Sequence, residues 1–151
     1  GAAGVQVGTA FALCEESALL PGLKIAVVRA AAFAVREADA RIVQEIALQP
    51  EAFYEVTAQA RAESVDPSGK GVHLCVMDDN LESQELRGDT GWHELRFYLQ
   101  TPGTARTVRL CARLGTFGSV TTGAAWFTNV SVRRVVAPGT DAPLYPLKPR
   151  P

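Results

Sequence analysis

An antiparallel β-sandwich is the fold class this sequence predicts, on three observations. Segments beyond residue 40 alternate apolar and polar residues with a period of two. The segments are short, and Gly/Pro turns separate them with no helical period between. At 151 residues the chain holds one ordinary core but falls short of an eight-fold βα barrel, which takes about 250 residues.

Each element follows from its own residues. Ile42 to Leu48 is a β-branched-rich run closed by Gln49-Pro50. Tyr54, Val56, Ala58 and Ala60 alternate with Glu55, Thr57, Gln59 and Arg61, giving one polar face. Asp66-Pro67-Ser68-Gly69 is a turn, because Pro presets φ and Gly accepts positive φ. Val72, Leu74 and Val76 alternate with His73, Cys75 and Met77, and Asp78-Asp79-Asn80 opens a polar loop running to Gly91. Leu95, Phe97 and Leu99 alternate with Glu94, Arg96 and Tyr98 before Thr101-Pro102-Gly103 turns the chain. Val108, Leu110, Ala112 and Leu114 alternate with Arg109, Cys111 and Arg113, and Ala125 to Val136 is the last strand of the sandwich. One domain is thus expected over residues 1–137. The tail 138–151, with five prolines in fourteen residues, reads as a linker or a surface strap. Before residue 40 two readings compete: strands at Val5–Leu13 and Leu23–Arg29, which we favour, or a helix between Glu15 and Ala38.

Composition narrows the function classes. Hydrophobic residues are 47% and charged residues 21%, a soluble globular balance. With fifteen Lys and Arg against sixteen Asp and Glu, net charge is −1, so no global field steers the chain to nucleic acid or an anionic membrane. The longest apolar stretch, Ile25 to Val35, is interrupted by Arg29 and is too short to span a bilayer. Lacking an initiating Met and a signal-peptide pattern, the sequence reads as a mature product, a fragment or an excised domain. Cys14, Cys75 and Cys111 show no CxxC spacing and no His at metal spacing, and the last two read as small semi-buried strand residues. A Cys75–Cys111 disulfide requires that their strands be neighbours at suitable geometry. No Gly-x-Ser-x-Gly is present, Asp78-Asp79 reads as turn chemistry, and His73 and His93 make no metal site. We expect no enzyme, no cofactor and no metal.

Two segments resemble known families. Gly4-Val5-Gln6-Val7-Gly8-Thr9, within GAAGVQVGTAFALCEES, resembles the strand-eight end of the FMN-dependent nitronate monooxygenases. That resemblance fades through Leu20 to Lys24 and implies FMN phosphate contacts at Gln6, Gly8 and Thr9. The rest of the barrel is missing, which implies a C-terminal fragment inactive alone. The stretches Ala40 to Tyr54, Gly91 to Pro102 and Gly123 to Val132 resemble, in order and spacing, three passages of jelly-roll carbohydrate-binding modules. This second resemblance implies a jelly-roll sandwich over about residues 40–136, an extracytoplasmic accessory domain tethered to a larger protein, and an oligosaccharide or polysaccharide partner. Modules of that family often carry an Asp after the closing Phe that helps bind calcium. Here Thr128 and Asn129 follow Phe127, and a hydroxyl and an amide are poorer ligands for a hard dication.

The residues of polar parity define a candidate ligand face. If all strands shared one sheet, Thr57, Gln59, Arg61, His73, Met77, Glu94, Arg96, Tyr98, Arg109 and Arg113 would lie together. Four arginines would then favour an acidic glycan. Sugars are held by aromatic rings and bidentate polar groups, which selects Gln59, Arg61, Arg96, Tyr98, Arg109 and Trp126 as ligand-binding residues. Trp126, opposite in parity to core residue Phe127, is the expected exposed ring, whereas Trp92 is expected to pack in the core or at the rim. The competing readings are a solvated sheet face with Arg–Glu pairs, a purely structural sandwich, and the inactive flavin-enzyme fragment.

Overall fold

The structure, a computed structural model, describes residues 24–30, 39–116 and 121–150. Among them are nine strands: β1 (Lys24–Ala30), β2 (Asp39–Leu48), β3 (Phe53–Glu63), β4 (Val72–Val76), β5 (Leu81–Glu82), β6 (His93–Gln100), β7 (Arg106–Gly115), β8 (Gly123–Val135) and β9 (Leu144–Pro146). They form a five-stranded sheet ordered β1-β8-β3-β6-β9 and a four-stranded sheet ordered β2-β7-β4-β5. Every pairing is antiparallel except the parallel pair β6–β9. The only helical element among the described residues is a 3-10 turn, Met77–Asp79. The protein is an all-β sandwich.

Alternation places the core. On β3 the even residues Tyr54, Val56, Ala58 and Ala60 are buried; on β6 Leu95, Phe97 and Leu99; on β7 Val108, Leu110, Ala112 and Leu114. With Val72, Leu74 and Val76 of β4 and Phe127, Val130 and Val132 of β8 they form one continuous apolar cluster drawn from both sheets. Burying each large side chain contributes roughly 1.5–3 kcal/mol. Alanines at 58, 60, 62 and 125 on β3 and β8 leave room for the larger side chains facing them. Tyr54, fully buried, satisfies its hydroxyl by accepting the Gln49 N–H at 2.9 Å.

Several features were not legible from alternation. β8 carries a bulge: the β3–β8 register shifts between Thr57↔Ser131 and Gln59↔Thr128, and Asn129 takes a left-handed backbone with φ of 54°. The loop after Asp79 contains the two-residue strand β5, and the Pro-rich tail supplies β9 along the free edge of β6. Leu147 enters the core cluster, and Tyr145 meets Phe97 edge-on with ring centres 6.0 Å apart. Of the two readings before residue 40, β1 is strand as Leu23–Arg29 suggested. Val5–Leu13 and most of the helical alternative lie outside the described residues. No helix among the described residues is long and apolar enough to cross a membrane.

Candidate ligand-binding face

β3, β6 and β8 pair in register, so their outward side chains form ordered rows across the five-stranded sheet. One row runs Arg133–Glu55–Tyr98, the next Ser131–Thr57–Arg96, the third Thr128–Gln59–Glu94, and the fourth begins Trp126–Arg61. Five of the six residues selected from parity, Gln59, Arg61, Arg96, Tyr98 and Trp126, therefore share one face. The sixth does not. Arg109 is on β7 in the four-stranded sheet, where its guanidinium pairs with Asp78 at 2.5 Å. His73 and Arg113 belong to that sheet as well. Parity assigns a residue to a side of its own strand, but the sheet to which the strand belongs is a long-range fact.

The centre of the face is an ion-pair cluster. Glu55 projects outward yet is buried, because Arg96 and Arg133 close over it. Its carboxylate accepts hydrogen bonds from Arg96 Nη1, from Arg133 Nη2 at 2.6 Å and from the Tyr98 hydroxyl at 3.0 Å. Burial raises the Glu55 pKa, but the bonds from Arg133 and Tyr98 and the charges of Arg96 and Arg133 outweigh it, so the carboxyl is held below its ordinary value. Arg96 also holds Glu94 at 2.7 Å. Counting Glu63 at the end of β3, the outward arginines 61, 96 and 133 face three carboxylates, 55, 63 and 94. Across β3, β6 and β8 these charges balance, and the register also brings Lys24 and Arg29 of β1 opposite Thr128 and Ala124.

One end of the face has a different character. The Arg61 guanidinium lies 4.0 Å from the centre of the Trp126 ring, a cation–π stack that covers one side of a half-buried indole. Among the described residues Arg61 has no carboxylate within ion-pair distance. Thr90 N–H donates to Ala62 O at 2.9 Å, which keeps the chain alongside β3 before β6 begins. Trp92, between that bond and the start of β6, is 49% exposed. Trp92 is therefore the more exposed indole, which rules out the core placement among its two expected positions, core or rim, while Trp126, the expected exposed ring, is half-buried. Phe127 is in the core as expected.

Sequence reasoning missed Glu55 as the hub, Trp92 as the open ring, and Arg133. The first two have the correct parity and were legible in principle. Arg133 has the wrong parity relative to Trp126, and the bulge at Asn129 puts it right. The three-residue spacing from Phe127 to Val130, both inward, is the trace that bulge leaves in the sequence.

A separate cleft of about 470 Å³ opens between the Met77–Asp79 turn and the tail, lined by Asp78, Asp79, Asn80, Lys148 and Arg150. Its carboxylates are already engaged, Asp79 with buried Arg106 at 2.8 Å and Asp78 with Arg109. Among the described residues no group of three or more His, Cys, Asp or Glu is placed to hold a metal ion. Gln6, Gly8 and Thr9 lie outside the described residues. No protein-family model and no curated protein matches the sequence.

Proposed function

We propose that the chain is a non-catalytic, jelly-roll carbohydrate-binding domain whose ligand lies on the outer face of the five-stranded sheet. The observation that carries this reading is the Trp126–Arg61 row, with Gln59 and Thr128 in the next row and the exposed Trp92 just ahead of β6. Aromatic faces beside amide, hydroxyl and guanidinium donors form the recognition chemistry of a polyhydroxylated ring. The ring's apolar face covers the indole, and its hydroxyls exchange water for fixed donors.

Charge balance changes the ligand class suggested by counting arginines. With Arg109 on the other sheet and Arg96 and Arg133 committed to Glu55 and Glu94, the part of the face on β3, β6 and β8 has no excess positive charge to select a polyanion. The preferred ligand is a neutral or weakly charged oligosaccharide. A glycan array probed with the wild-type chain should give neutral hits whose intensity changes little between low and high salt. Trp92→Ala and Arg61→Ala should each weaken them about tenfold or more, while Arg109→Ala leaves them intact. An array without hits, or hits indifferent to both face substitutions, would leave a structural sandwich as the better reading. That second reading is favoured by the Glu55 ion-pair cluster, which a solvated sheet face also forms. Under the flavin-enzyme resemblance a purified preparation would be yellow; we expect it to be colourless, as a phosphate contact alone does not hold an isoalloxazine ring.

A further inference from the structure

Cys75 and Cys111 are direct partners across β4 and β7. Both thiols are free and buried, at 3% and 0% exposure. They do not belong to the core side of their sheet: Val72, Leu74 and Val76 face the core from β4, so Cys75 projects from the opposite face, with Cys111 beside it. In an antiparallel ladder hydrogen-bonded and non-hydrogen-bonded pairs alternate. Gly115 N–H donates to Gly71 O, which makes Gly71↔Gly115 a hydrogen-bonded pair, and two steps of two along the register reach Cys75↔Cys111. Such pairs have Cα atoms about 5.5 Å apart, at the edge of the commonest separation for disulfides. The first of the two conditions set by the sequence, neighbouring strands, is met.

The surroundings distinguish the two sulfurs. Arg113 Nη1 lies 3.9 Å from Cys75 Sγ. The buried ring of His73 is two residues away on the same face, its Nδ1 3.0 Å from Gly71 O. A hydrogen bond from Cys111 lowers the Cys75 pKa; burial opposes this, and His73 and Arg113 add to the lowering. Cys111 is pushed the other way, by its bond to Cys75 and by burial. Thiolate is the nucleophile in disulfide exchange.

We propose that Cys75 and Cys111 are a thiol–disulfide exchange site that takes a low-molecular-weight disulfide as co-reactant and closes to a cross-strand disulfide. The Cys75 thiolate attacks one sulfur of the donor, forming a mixed disulfide and expelling one donor thiolate, which takes up a proton. Cys111 then loses its proton and attacks the Cys75 sulfur, expelling the second donor thiol. Two protein thiols and one donor disulfide become one protein disulfide and two small thiols. Because both sulfurs are buried, exchange proceeds through local opening of that face or before the sandwich has closed.

The test refolds the full chain carrying Cys14→Ser, which leaves only this pair, in a mixture of oxidised and reduced glutathione. Peptide mass spectrometry after alkylation in denaturant reads the products. We expect a Cys75–Cys111 linked peptide, two hydrogens lighter than the sum of its parts, in most of the folded material. Adding Cys111→Ser should trap a glutathione adduct on Cys75, beside Arg113 and His73, whereas adding Cys75→Ser should give an adduct on Cys111 more slowly. Full alkylation of both cysteines after refolding overturns the proposal, as does a link from Cys14 to either cysteine in the unsubstituted chain. Equal adduct rates at the two single cysteines overturn the assigned order of attack. Should a single-cysteine variant fail to fold, the linked peptide in the Cys14→Ser chain still decides.

Discussion

Glu55 shows how one side chain organises a surface. Its partners Arg96 and Arg133 are 38% and 49% exposed at the side chain, so solvent screens both pairs and their worth is modest. Glu55→Gln keeps the shape but removes the charge and turns one acceptor oxygen into an NH2 facing arginine donors, and should cost about 1 kcal/mol or more at neutral pH in a urea titration. The pH dependence has a defined sign. A carboxyl held below its ordinary 4.5 contributes stability that is complete above that pH and is lost as pH falls through the folded-state value. Glu85, Asp66 and Asp78 are lowered too, so acid should still destabilise the variant. Its stability should nevertheless fall less steeply than wild type below about pH 4.5, and parallel acid limbs would remove Glu55 from this role. Gly123 supplies a second residue-scale test. Its φ is 128°, and an added Cβ would meet Ser64 O and Val65 Cα at 2.7 Å. Gly123→Ala should therefore cost more than about 1 kcal/mol by the same titration, where a neutral result would mean that the backbone relaxes freely.

At the scale of elements, the least conventional piece is the tail. β6 would be an open edge without β9, and the Pro-rich segment covers it: Tyr98 N–H donates to Pro143 O, and Leu147 N–H to Gln100 O. Prolines suit an edge strand because they donate nothing to a further neighbour. Leu147→Ala removes a buried side chain and should cost roughly 2–5 kcal/mol. A chain ending at Val136 should melt lower and associate through the bared β6 edge, which size exclusion at rising concentration would register. Unchanged melting and a monomeric profile would reduce the tail to a passive linker. The sequence foretold the six principal strands from β2 to β8 because each writes its own alternation, as Tyr54 to Arg61 does. It left β5 and β9 unannounced, since two or three residues cannot display a period and Pro143 and Pro146 read as coil. Sheet membership was equally hidden: Arg96 and Arg109 have the same local pattern, and only the folded pairing sends them to different sheets.

At the scale of the whole molecule, the two sheets share one core and present two unlike outer faces. One carries the Glu55 cluster and the Trp126–Arg61 row; the other carries the buried cysteine pair with His73 and Arg113. That five of the six candidate residues share one face was legible only because β3, β6 and β8 happen to be neighbours, a fact no local pattern contains. Charge balance was not, since it depends on which Glu meets which Arg. The sandwich itself should give a far-ultraviolet circular dichroism spectrum dominated by β structure, and a helix-dominated one would contradict the architecture. The most direct test of the ligand face is a nitrogen-15 chemical-shift titration of the intact chain with the strongest neutral oligosaccharide from the array. The account predicts saturable shifts concentrated at Gln59, Arg61, Trp92, Trp126 and Thr128, with the indole N–H signals of both tryptophans among the largest. Shifts gathered instead at the cleft around Asp79, Asn80 and Lys148, or along β7 at Arg109, would contradict it.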